Sequence, residues 1–500
     1  MTKQVWLEDV TIRDGAQCLW ATRLSTEEIV PIASTMDRAG FQIVDLTGGA
    51  AIDTSIMYLN EDPFERVRVL SKLMPNTLLN FNSRGQSVFR WTQYPDDVAD
   101  LTIRTFARNG IRSIMLFDPL NDMRNLEYSA RVARENDLYI IGSVTYTISP
   151  YHTVEHFITK TKELVDMSVD AVSLKDPSGL LTPDSAVAIL KGMRSVLKGQ
   201  RLQLHCHAST GTAAEVHKAA MDLGADGPDV YHGAAPPLSW GVSHPSHDFL
   251  IDNLLDRGYS LDIDRSAIRE MTAYFGYIAE RRSLPVGQPV HKSDARAMRE
   301  HGVPGGMMSN LVSQLTQQGV SARLPEVLEE VSRVRHDLGY PLLVSPMAQY
   351  VGTTAVLNVI AGRYEVVPDE IRNYLLGYYG QPPGPIDDAV SDKILRGAEP
   401  ITKRPGEVLE PMIERFRAEN GPFESDEALL LSIFYSRPTL DNWHLKSWNG
   451  YRSTPKTPTS YLVDSVLKNR KVENFSCEWP TKKFSLSFLG LQTNFSSKEL

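Results

Sequence analysis

Four short clusters carry most of the chemically unusual side chains of this 500-residue chain. The first is Thr11-Ile12-Arg13-Asp14-Gly15-Ala16-Gln17, directly after an apolar run. A carboxylate beside an arginine at a strand end can bind a metal, and the arginine can hold an anionic substrate. An ion pair in a surface turn is the plain alternative. The second cluster, His205-Cys206-His207, closes another apolar run. Residues i and i+2 of a strand share a face, so the two imidazoles make half of a metal site and Cys206 turns into packing. Two hydrogen-bonding histidines would read the same way. The third, Ser173-Leu174-Lys175-Asp176, sets a lysine in an otherwise apolar strand. A buried charged lysine is costly. It needs an acidic partner such as Asp14 or Asp176, a lowered pKa, or covalent modification. A neutral amine can add carbon dioxide to give a carbamate, which would serve as a carboxylate-like ligand. The fourth, Ser83-Arg84-Gly85-Gln86, supplies a second arginine. Two arginines near a metal suit an anionic, carboxylate-bearing substrate; a solvated loop charge is the alternative for Arg84. Asp118, Tyr146 and Thr147 add polar groups at further strand ends, while His152 and His217 read as structural.

These clusters need elements that bring them together. Eight apolar runs, at 5–10, 43–46, 78–81, 113–117, 138–144, 171–174, 202–205 and 229–232, alternate with helical patterns. Ser25 and Glu28 form a capping box. Thr182 is an N-cap followed by Pro183 at the first helical position. Gly110 and Gly224 stand where left-handed C-caps belong. Eight strand–helix repeats predict an α/β fold, a (β/α)8 TIM barrel, whose active site lies at the C-terminal strand ends. All four clusters fall there. An open doubly wound sheet is the alternative, but no GxGxxG follows the first strand.

The barrel is assigned to residues 1–270. From 271 to 440 helical periodicity dominates, at 324–338, 345–360, 368–379, 407–419 and 426–435, which predicts a mostly helical domain that completes the site. Residues 441–500 form an atypical tail, expected to be poorly ordered, with a linker-like stretch at 453–460. The 52 basic and 61 acidic residues give a formal charge of −9, a poor footing for binding nucleic acid or anionic membrane. Three cysteines, Cys18, Cys206 and Cys477, are too few and too scattered for a disulfide framework, and a reducing cytoplasmic setting follows. The first residues lack a signal-peptide core, and no apolar run is long enough to span a membrane.

Taken together, Asp14, Lys175, His205 and His207 on strands one, six and seven resemble the metal site of the biotin-dependent keto-acid carboxyltransferases. That family includes the carboxyltransferase domain of pyruvate carboxylase, the α subunit of oxaloacetate decarboxylase and the 5S subunit of transcarboxylase. Further stretches carry the resemblance: Gly48-Gly49-Ala50, Asn60-Glu61-Asp62-Pro63, TYTISP at 145–150, VPGGMMSNL at 303–311, VGTTAVLNV at 351–359 and LGYYG at 376–380. It runs from about residue 5 to about residue 440 and implies the following roles. Asp14, His205, His207 and a carbamylated Lys175 would hold a divalent zinc, cobalt or manganese ion. Arg84 would hold the carboxylate of pyruvate or oxaloacetate, and Arg13 and Gln17 would position the keto group. The hydroxyl that moves a proton between biotin and the enol falls on Ser345, where the family has threonine. A homodimer or larger homo-oligomer is also implied.

Three departures cluster at the barrel mouth. The family reads Arg-Asp-Ala-His-Gln where this chain has Gly15 and Ala16. It reads Asp-Met-Ala after the lysine where this chain has Asp176-Pro177-Ser178. The stretch Tyr231-His232-Gly233-Ala234-Ala235-Pro236-Pro237 replaces one that contains Asp-Thr-Ala. No Met-Lys-Met biotin acceptor occurs in the sequence, so carboxybiotin is expected on a separate carrier protein. The leading expectation is a carboxyltransferase subunit acting on a small 2-keto acid, with possible decarboxylase action. The alternative is a biotin-independent, metal-dependent lyase or decarboxylase on the same barrel. A third reading, an inactive scaffold for a carboxylase complex, leaves the metal quartet without a purpose.

Overall fold

In the computed structural model, the described residues are 3–448, except 91, 304–306, 308–310, 313–314 and 317–318, together with three strands within 474–499. Of the segments named above, most of the Gly-rich break at 304–310 and the linker at 453–460 lie outside the described residues.

Eight parallel strands close into a barrel in sequential order. They are β1 (Trp6–Asp9), β2 (Ile43–Gly48), β3 (Leu78–Ser83), β4 (Ser113–Leu116), β5 (Tyr139–Thr145), β6 (Ala171–Asp176), β7 (Arg201–Cys206) and β8 (Val230–Gly233). Closure comes from β1 pairing with β8, with Glu8 opposite His232. The β6–β7 register sets Lys175 beside His205. Helices wrap the barrel and start as the caps require: the Ser25/Glu28 box is formed, and Thr182 caps the helix that begins at Pro183. Their apolar faces and the outward side chains of the strands make one continuous core, in which Phe81 and Phe89 stack on Phe106 and Phe64 packs against it at a tilt.

The helices at 324 and beyond follow the sequence pattern with one instructive break. The periodicity at 407–419 is divided into Pro405–Val408 and Ile413–Asn420. Pro411 lies between them, with no N–H to give and a ring that blocks the preceding turn. In the tail, β9 (Asn474–Trp479), β10 (Lys482–Leu489) and β11 (Gln492–Glu499) pair antiparallel. Among the described residues no helix is long and apolar enough to cross a membrane.

The helical region is seated on the C-terminal mouth of the barrel. Helices Leu324–Asp337 and Met347–Ala361 form a second core, and Leu120, from the loop after β4, is buried inside it. Polar contacts fix the same seat. Arg335 donates to Thr147 Oγ1 at 2.8 Å, Asn125 donates to the Tyr379 carbonyl at 3.1 Å, and the Gln381 N–H donates to Asp122 at 2.9 Å. Leu120→Ala is expected to cost about 2–5 kcal/mol, the usual loss for a buried leucine. The loss should fall on the helical region, seen as faster proteolysis of 324–361 with the barrel fragment intact.

Candidate metal and anion site at the barrel mouth

The chain leaves β1 through a single π-helical turn, Thr11–Gly15, closed by the Gly15 N–H on the Val10 carbonyl at 2.9 Å. Such turns are rare and often mark functional positions. This one aims Arg13 and Asp14 into the barrel mouth, where both are buried. The arginine is fixed between two carboxylates. Its Nε donates to Asp45 Oδ2 of β2 at 2.6 Å, its Nη2 pairs with the same oxygen, and its Nη1 lies 3.4 Å from Asp14 Oδ1.

The other oxygen of Asp14 faces three imidazoles. The Nε2 atoms of His205 and His207 lie 3.3 Å from Asp14 Oδ2, and that of His244 lies 3.0 Å away. The rings crowd one another, with centroids 4.2 Å to 5.2 Å apart. All four groups are buried, and one donor atom from each lies within 4.8 Å of the rest. His244 escaped the sequence reading. It arrives on the loop after β8, in Ser243-His244-Pro245, and the strand pattern gives that position no period to belong to. The detectable signal was local density: His232, His244 and His247 fall within sixteen residues of a chain with 12 histidines.

Gly15 is what lets that loop come down. A Cβ at Gly15 would lie 3.0 Å from the Leu238 carbonyl oxygen. The loop is further pinned by Ser243 Oγ donating to the Leu238 carbonyl and by the Ala208 N–H donating to the Ser243 carbonyl, both at 2.7 Å. It also orients one ring: His207 Nδ1 lies 2.9 Å from the Val242 carbonyl, so one proton sits there; Cys18 and Asp14 outweigh burial and hold this imidazole well above its usual range, so a metal ion would take Nε2 by displacing its proton.

The electrostatics match a cation-binding cluster. Burial opposes ionisation of Asp14, but Arg13, His207 and the hydrogen bond from His244 outweigh it and hold the carboxyl well below its usual range. Burial and the neighbouring Lys175 and His244 push His205 well down, and burial with His207 pushes His244 down to about 3. Two neutral imidazoles and a carboxylate are thus ready as ligands. The buried His205 Nε2 has no hydrogen-bond partner among the described residues. A borderline divalent ion such as zinc suits this nitrogen-rich set.

Of the remaining sequence candidates, Lys175 lies on the strand next to His205, with Nζ 3.6 Å from Met115 Sδ and 5.2 Å from the Phe117 ring centre. It makes no ion pair among the described residues, which removes the salt bridges to Asp14 or Asp176 as its explanation. Burial and the nearby Arg13 lower its pKa to about 8. Asp176 instead accepts from the Ser178 and Leu181 N–H groups. Arg84, after β3, is buried, and no described side chain hydrogen-bonds its guanidinium. Its pKa is lowered by burial against the weaker pull of Asp53, Tyr350 and Tyr94. It lies against Gly49, where a Cβ would fall 2.6 Å from its Nη2. Gln17 is exposed one turn beyond Arg13. Ser345 immediately precedes Pro346 and the helix Met347–Ala361, the same helix that carries Tyr350 toward Arg84. Cys206 is fully buried, as its strand position predicts. Asp118 is a loop organiser, accepting from the Leu120 and Asp122 N–H groups and from Asn125.

His244→Ala should lower affinity for a divalent ion by at least about tenfold, the scale seen when metal-site groups are removed. Chelator competition on the full chain measures it.

Comparisons with known proteins bear on the family and the fold. Residues 298–483 match the conserved carboxylase domain family. A subunit of the pyruvate carboxylase of Methanothermobacter thermautotrophicus is 38% identical over 437 residues, covering 87% of this chain and 76% of the relative. The methylmalonyl-CoA carboxyltransferase 5S subunit of Propionibacterium freudenreichii subsp. shermanii is 36% identical over 423 residues, covering 83% of this chain and 81% of the relative. The carboxyl transferase domain of Rhizobium etli pyruvate carboxylase, solved with pyruvate, superposes with a TM-score of 0.81 at 25% identity, covering 99% of this chain and 88% of that one. With a closed eight-strand barrel, a polar cluster at its mouth and relatives of this closeness, the chain belongs to the biotin-dependent keto-acid carboxyltransferases.

Proposed function

We propose that this enzyme moves a carboxyl group between carboxybiotin, carried by a separate protein, and a small 2-keto acid of the pyruvate/oxaloacetate type. The observation that carries this reading is the buried Arg84 guanidinium, without a hydrogen-bond partner among the described residues, at the same barrel mouth as the Asp14–His205–His207–His244 cluster. A buried cation without a hydrogen-bond partner is a receptor for an anion, and a planar guanidinium fits a carboxylate through two parallel hydrogen bonds. The family relationship supplies the carboxyl transfer.

Arg84 takes the carboxylate of the keto acid, backed by Gly49, which leaves room for its Nη2. Arg13, fixed by Asp45 and Asp14, orients the keto oxygen as a stationary cation, and Gln17, by the family pattern, would position it as well. Asp14, His205 and His207, with Lys175 as a carbamate and His244 as an added donor, would hold a divalent ion. Such an ion acts as a Lewis acid toward the keto oxygen. The lysine suits that role because burial and Arg13 lower its pKa to about 8, which leaves about a tenth of its amine neutral at pH 7, far more than for a free lysine, and able to add carbon dioxide.

In the direction of decarboxylation, the C–C bond to the departing carboxyl of oxaloacetate breaks and a new bond forms to the ureido nitrogen of biotin. The proton displaced from that nitrogen passes through the Ser345 hydroxyl to the enolate carbon, which yields pyruvate. Gln349 Nε2 donates to Ser345 Oγ at 3.2 Å, which leaves the hydroxyl's own proton available. Reversal of these steps carboxylates pyruvate.

The direct test is oxaloacetate decarboxylation by the purified chain, with and without free biotin. Strong stimulation by biotin is expected; turnover indifferent to biotin would assign the protein to the lyase class instead. Ser345→Ala should lower biotin-dependent turnover by about 10²–10⁴-fold, the range for a lost proton-transfer group, with keto-acid binding nearly unchanged. Titration of pyruvate into the variant checks the second half of that statement.

A further inference from the structure

Below the metal-ligand cluster, a second set of polar groups fills the barrel interior, and the reaction scheme makes no use of it. His205 turns Nε2 toward Asp14, and its other nitrogen, Nδ1, lies 3.1 Å from Nδ1 of His232. His232 Nε2 in turn lies 3.3 Å from Glu8 Oε2 and 3.1 Å from Gln203 Oε1. Glu8, Gln203 and His232 are all 0% exposed. Glu8 and His232 face each other on the strands that close the barrel. Neither Glu8 oxygen has a hydrogen-bond partner among the described residues, and burial with the neighbouring Asp45 pushes its carboxyl well above the usual range. A buried carboxyl group without a hydrogen-bond partner is costly relative to an apolar side chain of similar size. A barrel interior that needed only filling would be served by the apolar side chain.

We propose that Glu8 and His232 form a positioning relay that fixes His205 as an Nε2 metal ligand. The inference rests on the metal-site reading above. If Nε2 of His205 is the ligand, the proton of that neutral ring is on Nδ1. That proton has one acceptor within reach, Nδ1 of His232. The proton of His232 is then on Nε2, where the Gln203 amide oxygen accepts it and Glu8 Oε2 lies 3.3 Å away. The Gln203 amide oxygen, with the Glu8 carboxyl beside it, therefore sets every proton in the chain, and the electron pair left over at the near end faces the metal position. His207 obtains the same result from a different anchor, the Val242 carbonyl. The two ligands of β7 are thus oriented from opposite sides, one by the loop after β8 and one by the interior of the barrel. Hydrogen bonds to the second nitrogen of a ligating histidine fix its tautomer and raise its basicity.

The barrel also supplies its own control. Asp9 and His247 form another fully buried carboxylate–imidazole pair at 3.1 Å, and neither touches a proposed ligand. The test is cobalt(II) titration of the metal-free full chain, read by chelator competition and by the visible d–d spectrum. His232→Leu should weaken cobalt binding by about 10–100-fold and shift the spectrum. Glu8→Gln, which keeps the volume and one acceptor oxygen, should change both in the same direction by less. Asp9→Asn should lower the thermal midpoint of the metal-free protein while leaving affinity and spectrum as in the wild type. Wild-type affinity and spectrum in folded His232→Leu would overturn the relay and leave the metal site standing. If His232→Leu fails to fold, an unchanged Glu8→Gln overturns it equally. An Asp9→Asn loss matching that of the relay variants would reduce the effect to general barrel strain and overturn it. A wild-type chain that takes up no cobalt would overturn the metal reading and the relay with it.

Discussion

A single carboxylate oxygen, Asp14 Oδ2, faces the Nε2 atoms of His205, His207 and His244 within 3.3 Å, and the rest of the mouth is arranged around that convergence. Three imidazoles crowded into a buried space would repel one another if all were protonated, and burial drives two of them neutral. The arrangement is favourable with an anion and a cation at its centre. Asp14 is the anion, kept ionised by Arg13. The proposed divalent ion is the cation.

Each layer of the fold contributes one constraint to that centre. The π-helical turn after β1 aims Asp14. The β6–β7 register puts Lys175 beside His205. Gly15, with no Cβ, admits the loop that delivers His244 and orients His207. The helical region closes the mouth from above. It is seated through Leu120 in its core and through Arg335 on Thr147, and its helix Met347–Ala361 carries Tyr350 toward Arg84. The Ser345 hydroxyl stands just before that helix, so one seated element serves both ends of the proposed reaction. Two of the departures from the family pattern have visible structural consequences: Gly15 admits the loop that carries His244, and His232 stands against Glu8 and His205.

Much of this was legible in the sequence because it rests on periodicity and local chemistry. The eight apolar runs coincide with β1 to β8 to within a residue or two, since parallel strands buried on both faces read as continuous apolar segments. The caps at Ser25 and Thr182 formed because their hydrogen bonds are made within one turn. The pairing of His205 with His207 on one face follows from the two-residue strand period. What could not be read depends on long-range closure. His244 reaches Asp14 across 230 residues through a loop without periodicity, and Glu8 meets His232 only because the first and last strands pair. The break at Pro411 was visible in the residue itself, but the helical period on either side masked it.

The measurement that bears most directly on the account is an anomalous difference map from crystals of the full chain, collected above and below the zinc edge. The account predicts one strong peak enclosed by Asp14, His205, His207 and His244, with a keto-acid carboxylate, when pyruvate is added, on Arg84. A clear map with those four side chains in direct contact and the metal elsewhere or absent would contradict it.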